Sequence, residues 1–98
     1  MMNIPIEDVY EQIRQIAEKF DVKKIVLFGS RARKTNHSKS DIDIAVYGCE
    51  KFDLFSDSLN EDLWSLLELD IINMDHKNVS PDLISEIERD GVILYEKI

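Results

Sequence analysis

Two aspartates separated by one residue are the side chains in this sequence best suited to chemistry. Asp41 and Asp43 alternate with Ile42 and Ile44 in the run DIDIAV, which is typical of a β-strand over 41–46. Successive strand side chains point to opposite faces, so both carboxylates share one face and both isoleucines point toward a core. Like charges this close repel one another unless a cation lies between them. The pattern predicts a divalent metal site; the alternative for an isolated Asp-x-Asp is a solvated strand edge.

A glycine and a serine upstream of the aspartates could bind phosphate. Gly29 and Ser30 follow an apolar run over 25–28, which predicts a buried strand, a tight turn and a short helix. A glycine lets a ligand approach the backbone, and free N–H groups at the start of a helix favour an anion. Arg33 would share a helix face with Ser30. Gly29-Ser30 alone would be an ordinary turn with a helix cap, but its combination with the aspartates at this spacing favours a phosphate-binding site.

Together these residues resemble a known signature. Gly29-Ser30, ten intervening residues and Asp41-x-Asp43 are similar to the motif of the polymerase-beta-like nucleotidyltransferase superfamily. The fuller string GSRAR…SDIDIAV resembles its minimal branch, the small stand-alone nucleotidyltransferases, and the resemblance covers essentially the whole chain. Many members carry a glycine directly after the position of Arg33, where this chain has Lys34. That departure concerns the geometry of the loop and not the carboxylates.

The resemblance implies a third carboxylate on the strand that follows the Asp-x-Asp pair. Asp70, at the start of the apolar run over 69–74, matches that position. Asp75 is the competing candidate, but it opens a stretch with the composition of an exposed loop. The expected metal-binding and catalytic residues are then Asp41, Asp43 and Asp70, with Asp70 as the candidate general base. The expected nucleotide-binding residues are Gly29, Ser30 and Arg33.

The resemblance also implies a reaction. Two Mg²⁺ ions, about 3.5 to 4 Å apart in such sites, would be held by the three aspartates, whose oxygens suit Mg²⁺ better than a soft metal. ATP is the expected donor, and AMP would pass to a hydroxyl group. Many minimal nucleotidyltransferases are antitoxins paired with a small helical protein of the HEPN type, and some transfer AMP to a tyrosine of that toxin. The alternatives are a non-catalytic module that neutralises a partner by covering it and a transferase acting on a small molecule.

Length and charge narrow the class of protein. A chain of 98 residues predicts a single domain, and the resemblance implies that this is one minimal nucleotidyltransferase domain, 1–98. Such a domain is too short to enclose both a nucleotide and an acceptor, so we expect an oligomer or a hetero-complex. The net charge of −8 argues against a nucleic-acid template. No apolar run reaches the length of a membrane span, and no signal peptide is recognisable. With Cys49 as the only cysteine, a cytoplasmic protein is expected.

Alternating helices and strands are expected to position these residues. Apolar periodicity predicts helices over 5–20, 57–67 and 80–89, besides the short helix after Gly29; the second would run through Leu59, Leu63 and Leu66. Apolar runs predict strands over 25–28, 41–46, 69–74 and 92–95. The connections are too short for a doubly wound domain. The resemblance implies an α+β class instead, the nucleotidyltransferase fold, with a mixed sheet of about four strands covered by helices.

Overall fold

Helices and strands alternate along the chain in the order that the sequence predicts. The computed structural model describes residues 5–63, 67–76 and 78–98. Within these ranges the elements are α1 (Ile6–Lys19), β1 (Lys24–Phe28), α2 (Gly29–Arg33), β2 (Ile42–Tyr47), α3 (Phe52–Asp62), β3 (Leu69–Asn73), α4 (Pro81–Asp90) and β4 (Val92–Glu96).

The strands form one mixed sheet in the order β3-β2-β1-β4. β1 is antiparallel to both β2 and β4. β2 and β3 are parallel, because the chain between them crosses back over the sheet through α3. The expected α+β class with a mixed sheet is therefore confirmed.

One face of the sheet carries the larger core cluster. Ile42 and Ile44 of β2 are fully buried on this face, as their alternation with the aspartates predicted. α1 and α3 cover it with buried side chains that recur at helical spacing, namely Val9, Ile13, Ile16, Phe55 and Leu59. A shift of β2 by one residue would bury Asp43 in this apolar core, so the core sets the register of the strand.

The helix predicted over 57–67 is wrong in its position. α3 begins at Phe52 and ends at Asp62, and Leu63 has an extended backbone with φ −76° and ψ 123°. Residues 64–66, including the predicted Leu66, lie outside the described part of the chain. The helix forms earlier because Phe55 is fully buried and packs against the ring of Phe20, with ring centroids 5.8 Å apart. This tertiary contact outweighs the helical spacing of the leucines.

The second face of the sheet is covered by α4. Ser80 caps this helix, since its hydroxyl accepts a hydrogen bond from the Leu83 N–H at 3.1 Å, and Pro81 occupies the first turn. Ile87 is buried in a small cluster with side chains of β1 and β2, namely Val26, Phe28 and Ala45. No helix in the described ranges is both long enough and apolar enough to cross a membrane.

Candidate active site

Asp43 and Asp70 lie side by side on neighbouring strands. The parallel register of β2 and β3 pairs these two residues directly. Paired strands lie about 4.8 Å apart, so two such side chains on one face are immediate neighbours. Asp43 is half-buried and Asp70 is exposed. The structure thus brings together two of the three aspartates that the sequence singles out.

Asp41 lies at the entrance to β2. The strand begins at Ile42, one residue later than predicted, so Asp41 is exposed and outside the strand. It is still close enough to Asp43 that its negative charge raises the pKa of the Asp43 carboxyl. All three predicted aspartates therefore belong to one acidic cluster, and Asp43 is its centre.

The electrostatics of Asp43 reflect its position. Burial is the largest influence and raises the pKa of its carboxyl above the ordinary value. The neighbouring charges of Asp70, Asp41 and Glu86 raise it further, and Arg33 opposes them. A cation bound beside Asp43 would offset the repulsion among these carboxylates, so this position favours cation binding.

The donor set fits Mg²⁺ by its chemistry. No group of three or more histidine, cysteine, aspartate or glutamate side chains in residues 5–63, 67–76 and 78–98 is arranged as a complete metal site. Mg²⁺ does not require one, because it commonly binds one or two carboxylates and fills its octahedron with water and substrate phosphate oxygens. The adjacent carboxylates of Asp43 and Asp70 can supply the protein's share of such a site.

Gly29 is required by the position of Asp43. Its φ is +74°, in the region that L side chains rarely adopt, and a Cβ added there would lie 2.2 Å from Oδ2 of Asp43. The first residue of α2 is thus packed directly beneath the half-buried carboxylate. The sequence predicts that a ligand approaches the backbone at this glycine; what the structure shows there is the close approach of the Asp43 side chain.

Arg33 lies at the edge of the acidic cluster and pairs with α4. Its Nη1 is 3.5 Å from Oε2 of Glu86 and 4.0 Å from Oδ2 of Asp90. The arginine side chain is 41% exposed. Sequence reasoning missed Glu86. Its spacing of three from Leu83 places it on the inner side of α4, but no local pattern shows which strands α4 covers.

Asp75 has a different role from Asp70. Its Oδ2 accepts hydrogen bonds from the backbone N–H groups of Gly48 at 2.9 Å and Cys49 at 3.3 Å. It therefore holds the turn that follows β2, at the opposite end of that strand from the acidic cluster. Of the two candidates for a third carboxylate, Asp70 is the one next to Asp43.

Lys34 occupies a position where a glycine would be unstrained. It ends α2 with φ 61° and ψ 33°, in the left-handed region. A non-glycine residue there costs about 1 to 2 kcal/mol. The departure from the motif noted in the sequence is therefore accommodated as backbone strain, and α2 keeps its place beside Asp43.

A comparison with protein families decides the class. The family model described as polymerase beta, nucleotidyltransferase, matches residues 11–98. The chain belongs to this family. The match contains both the glycine-serine pair and all three aspartates, so the resemblance inferred from the motif is confirmed. No curated protein matches the chain in sequence.

Solved structures share the fold. A toxin–antitoxin crystal structure with AMP-PNP is 24% identical, with a TM-score of 0.68, and the match covers 90% of this chain and 73% of that one. A variant of the toxin–antitoxin pair MntA-HpeT, with two aspartates changed to glutamate, is 21% identical over the same shares, with a TM-score of 0.66. A proposed nucleotidyltransferase from Sulfolobus solfataricus is 20% identical, with a TM-score of 0.55, over 92% of this chain and 79% of that one.

Proposed function

We propose that this protein is a Mg²⁺-dependent nucleotidyltransferase that moves AMP from ATP to a hydroxyl group of a partner protein. Membership of the nucleotidyltransferase family supports the class of reaction. The observation that carries the proposal is the pairing of Asp43 with Asp70 on adjacent strands, together with the packing of Asp43 against Gly29. The Asp43 carboxylate thus lies beside the first residue of α2, and this supports a site in which a metal-bound triphosphate would meet both carboxylate oxygens and backbone N–H groups.

The three aspartates would divide the chemical work. Asp41, Asp43 and Asp70 would hold Mg²⁺, which would supply positive charge to the triphosphate and to the departing pyrophosphate. Asp70 is exposed and paired with Asp43 on the neighbouring strand, and it would take the proton of the acceptor hydroxyl. The hydroxyl oxygen bonds to the α-phosphorus, the bond from that phosphorus to the bridging oxygen breaks, and pyrophosphate leaves. Positioning and electrostatics account for most of the catalysis.

Arg33, Ser30 and the backbone of Gly29 would hold the β- and γ-phosphates. In the structure Arg33 pairs with Glu86 and Asp90 at 3.5 and 4.0 Å. These pairs are partly exposed, and pairs of this kind contribute about 0 to 1 kcal/mol. A triphosphate offers the guanidinium stronger, charge-assisted hydrogen bonds. Arg33 can therefore exchange its carboxylate partners for a nucleotide at little cost in stability.

The nature of the donor and of the acceptor is supported by the structural neighbours. One similar toxin–antitoxin structure was solved with AMP-PNP, an ATP analogue, which favours ATP as the donor. Another has two aspartates two positions apart replaced by glutamate, and this is the spacing of Asp41 and Asp43. We therefore propose that the protein is the antitoxin of a pair, and, from the resemblance of its motif to minimal nucleotidyltransferases, that its acceptor is a small helical protein of the HEPN type.

The test is transfer to the protein encoded beside this one. Both proteins are incubated with Mg²⁺ and ATP, and the mass of the partner is expected to rise by whole AMP units. Asp43→Asn and Asp70→Asn should each slow transfer by at least about 100-fold, in line with the loss of a metal ligand or base, while the complex still forms. Asp75→Asn is the matched control: an asparagine oxygen can still accept the turn's N–H bonds, so transfer should persist.

Other outcomes separate the competing functions. Full transfer by Asp43→Asn would show that the metal assignment is wrong. Neutralisation of the partner's activity without any change in its mass would favour a module that acts by covering it. Modification of a small molecule by the isolated protein, with the partner left unmodified, would replace the protein acceptor with a small one.

A further inference from the structure

The guanidinium of Arg31 binds the backbone just before Asp41. Its Nε and Nη2 donate to the carbonyl oxygen of Ser40 at 3.1 and 2.9 Å, and Nη2 also reaches the carbonyl oxygen of Ser38 at 3.4 Å. Arg31 is the middle residue of α2. We call these bonds the Arg31 clamp; they tie the short helix beneath Asp43 to the end of the loop that leads into β2.

Asp41 is the one residue between two fixed points of the backbone. The clamp holds the carbonyl oxygen of Ser40 on one side. On the other side the N–H of Ile42 donates to the carbonyl oxygen of Glu68 at 2.9 Å, which starts the pairing with β3. Asp43, by contrast, lies inside the strand ladder and against Gly29. The place of Asp41 thus depends on the clamp in a way that the place of Asp43 does not.

The hydrogen bonds between His37 and Ser40 join two residues of the same loop. The N–H of His37 donates to the Ser40 hydroxyl at 3.0 Å, and the N–H of Ser40 donates to the His37 carbonyl oxygen at 3.1 Å. These bonds close a turn over 37–40 but do not attach that turn to α2. The Arg31 clamp supplies the attachment.

The surroundings of Arg31 make the clamp effective. The side chain is half-buried, and it interacts with the hydroxyl of the buried Tyr10 of α1 through its charge and through a hydrogen bond. Burial raises the pKa of the Tyr10 hydroxyl, and the positive charge of Arg31 partly opposes that rise. Hydrogen bonds from a charged donor are stronger than those between neutral groups, and partial burial reduces their screening by solvent.

We propose that Arg31 is a positioning residue for the metal site: by clamping the Ser40 carbonyl oxygen it fixes Asp41 where its carboxylate can share a cation with Asp43. This proposal rests on the proposed function, because it gives Asp41 the task of binding metal. Arg31 acts through the backbone and does not touch the nucleotide. It therefore differs in its effect from Arg33, which lies only two residues along the same helix.

The test compares two arginines that each bind a backbone carbonyl oxygen. Arg31→Lys keeps the charge but loses the planar fork that places two N–H groups on one oxygen. Arg14→Lys is the matched control, since Arg14 Nε donates to the carbonyl oxygen of Leu94 at 2.8 Å, between α1 and β4. For each variant we would measure the Mg²⁺ concentration that half-maximally raises the melting temperature, amide hydrogen exchange at Ile42, and the KM values for Mg²⁺ and ATP.

Arg31→Lys is expected to raise the half-saturating Mg²⁺ concentration about tenfold, the lower end of what losing an outer-shell partner causes. Exchange at Ile42 should become faster, while the KM for ATP at saturating Mg²⁺ changes less than twofold. Arg14→Lys should alter none of these quantities. Arg31→Gln, which keeps one donor in place, should show the same direction and gives a second reading if the lysine variant is unstable.

Two results would overturn the proposal. One is an equal shift of the Mg²⁺ titration in the Arg14 and Arg31 variants. The other is an unchanged Mg²⁺ titration in Arg31→Lys together with a raised KM for ATP, which would place Arg31 on the nucleotide. If the wild-type protein binds Mg²⁺ but transfers nothing, the proposed function fails, and the melting and exchange measurements still decide the role of Arg31.

Discussion

The two faces of the β-sheet differ in what covers them, although the same strands build both. α1 and α3 bury one face under a large apolar cluster, in which Phe55, Ile13 and Ile44 are fully buried. On the other face α4 contributes a smaller cluster around Ile87, and the carboxylates of Asp43 and Asp70 remain beside it. Alternate side chains of β2 point to opposite faces, so this strand contributes to both.

The face covered by α1 and α3 stabilises the fold, and the opposite face carries the carboxylates of the candidate site. Apolar burial on the α1 and α3 face is sufficient to fix the register of β2, so Asp43 on the opposite face has a defined position without help from a polar network. Asp43 can then be held half-buried among like charges, which is unfavourable by itself. The core on one face stabilises the arrangement that the other face needs for binding a cation.

The largest effect is expected from damage to the buried face. Phe55→Ala should lower the free energy of unfolding by about 3 to 5 kcal/mol, because it leaves a cavity in a filled core. Leu54→Ala, one residue away in α3, should change it by less than about 0.5 kcal/mol, since Leu54 is 57% exposed. Urea unfolding followed by circular dichroism measures both. If both variants lost a similar amount of unfolding free energy, Phe55 would not lie on a more buried face of α3 than Leu54.

Substitution of two glycines that both have a positive φ can distinguish the effect of backbone strain from the effect of displacing Asp43. Gly29→Ala and Gly48→Ala should each destabilise the fold by about 1 to 2 kcal/mol. Only the Gly29 variant should also lose stabilisation by Mg²⁺, because its Cβ would displace the Asp43 carboxylate. A Cβ at Gly48 would lie 2.5 to 2.7 Å from Cδ, Cγ and Cβ of Lys23 instead, so it would displace Lys23 and not the Asp43 carboxylate. Melting curves with and without Mg²⁺ test this, and retention of the Mg²⁺ effect in both variants would contradict it.

Asp43→Asn should raise the melting temperature of the metal-free protein at pH 7. The pKa of Asp43 is raised in the folded state, so its ionised form destabilises the fold. The stability associated with the protonated form is present below the unfolded-state pKa and is lost as pH rises through the folded-state pKa. The advantage of the variant should therefore shrink as the pH falls.

The measurement is a series of melting curves in EDTA from pH 7 to pH 4. Asp53→Asn serves as the control, because a carboxylate in the first turn of α3 interacts favourably with the helix dipole and its removal should lower the melting temperature slightly. A constant advantage of Asp43→Asn across the pH range would rule out relief of an unfavourable ionisation as its cause.

The smallest effect is expected at the end of α2. Lys34→Gly should raise the free energy of unfolding by about 0.5 kcal/mol, because relief of left-handed strain slightly exceeds the added freedom of the unfolded chain. Thr35→Gly, at the next position, does not have a positive φ and should lower it instead. Chemical denaturation of the two variants side by side gives the comparison. A loss in both would show that Lys34 is not strained.

Much of the site could be predicted from local sequence. The alternation of Asp41, Ile42, Asp43 and Ile44 shows which side chains face the core, because the strand period is two. The apolar run before Gly29 and the apolar run around Asp70 likewise identify strands by composition. These patterns depend on near neighbours in the chain, so the family motif and the elements that carry it are readable before any packing is known.

The tertiary structure decided the matters that depend on distant partners. Phe55 packs against Phe20, and that contact moved α3 upstream of its predicted position. Glu86 meets Arg33 across 53 positions of sequence, and Asp75 is assigned to a turn only by its bonds to Gly48 and Cys49. Local propensity is a weak preference that packing overrides. The sequence therefore determined which residues could form the site, and the packing of α4, α2 and the loop before β2 determined which of them meet.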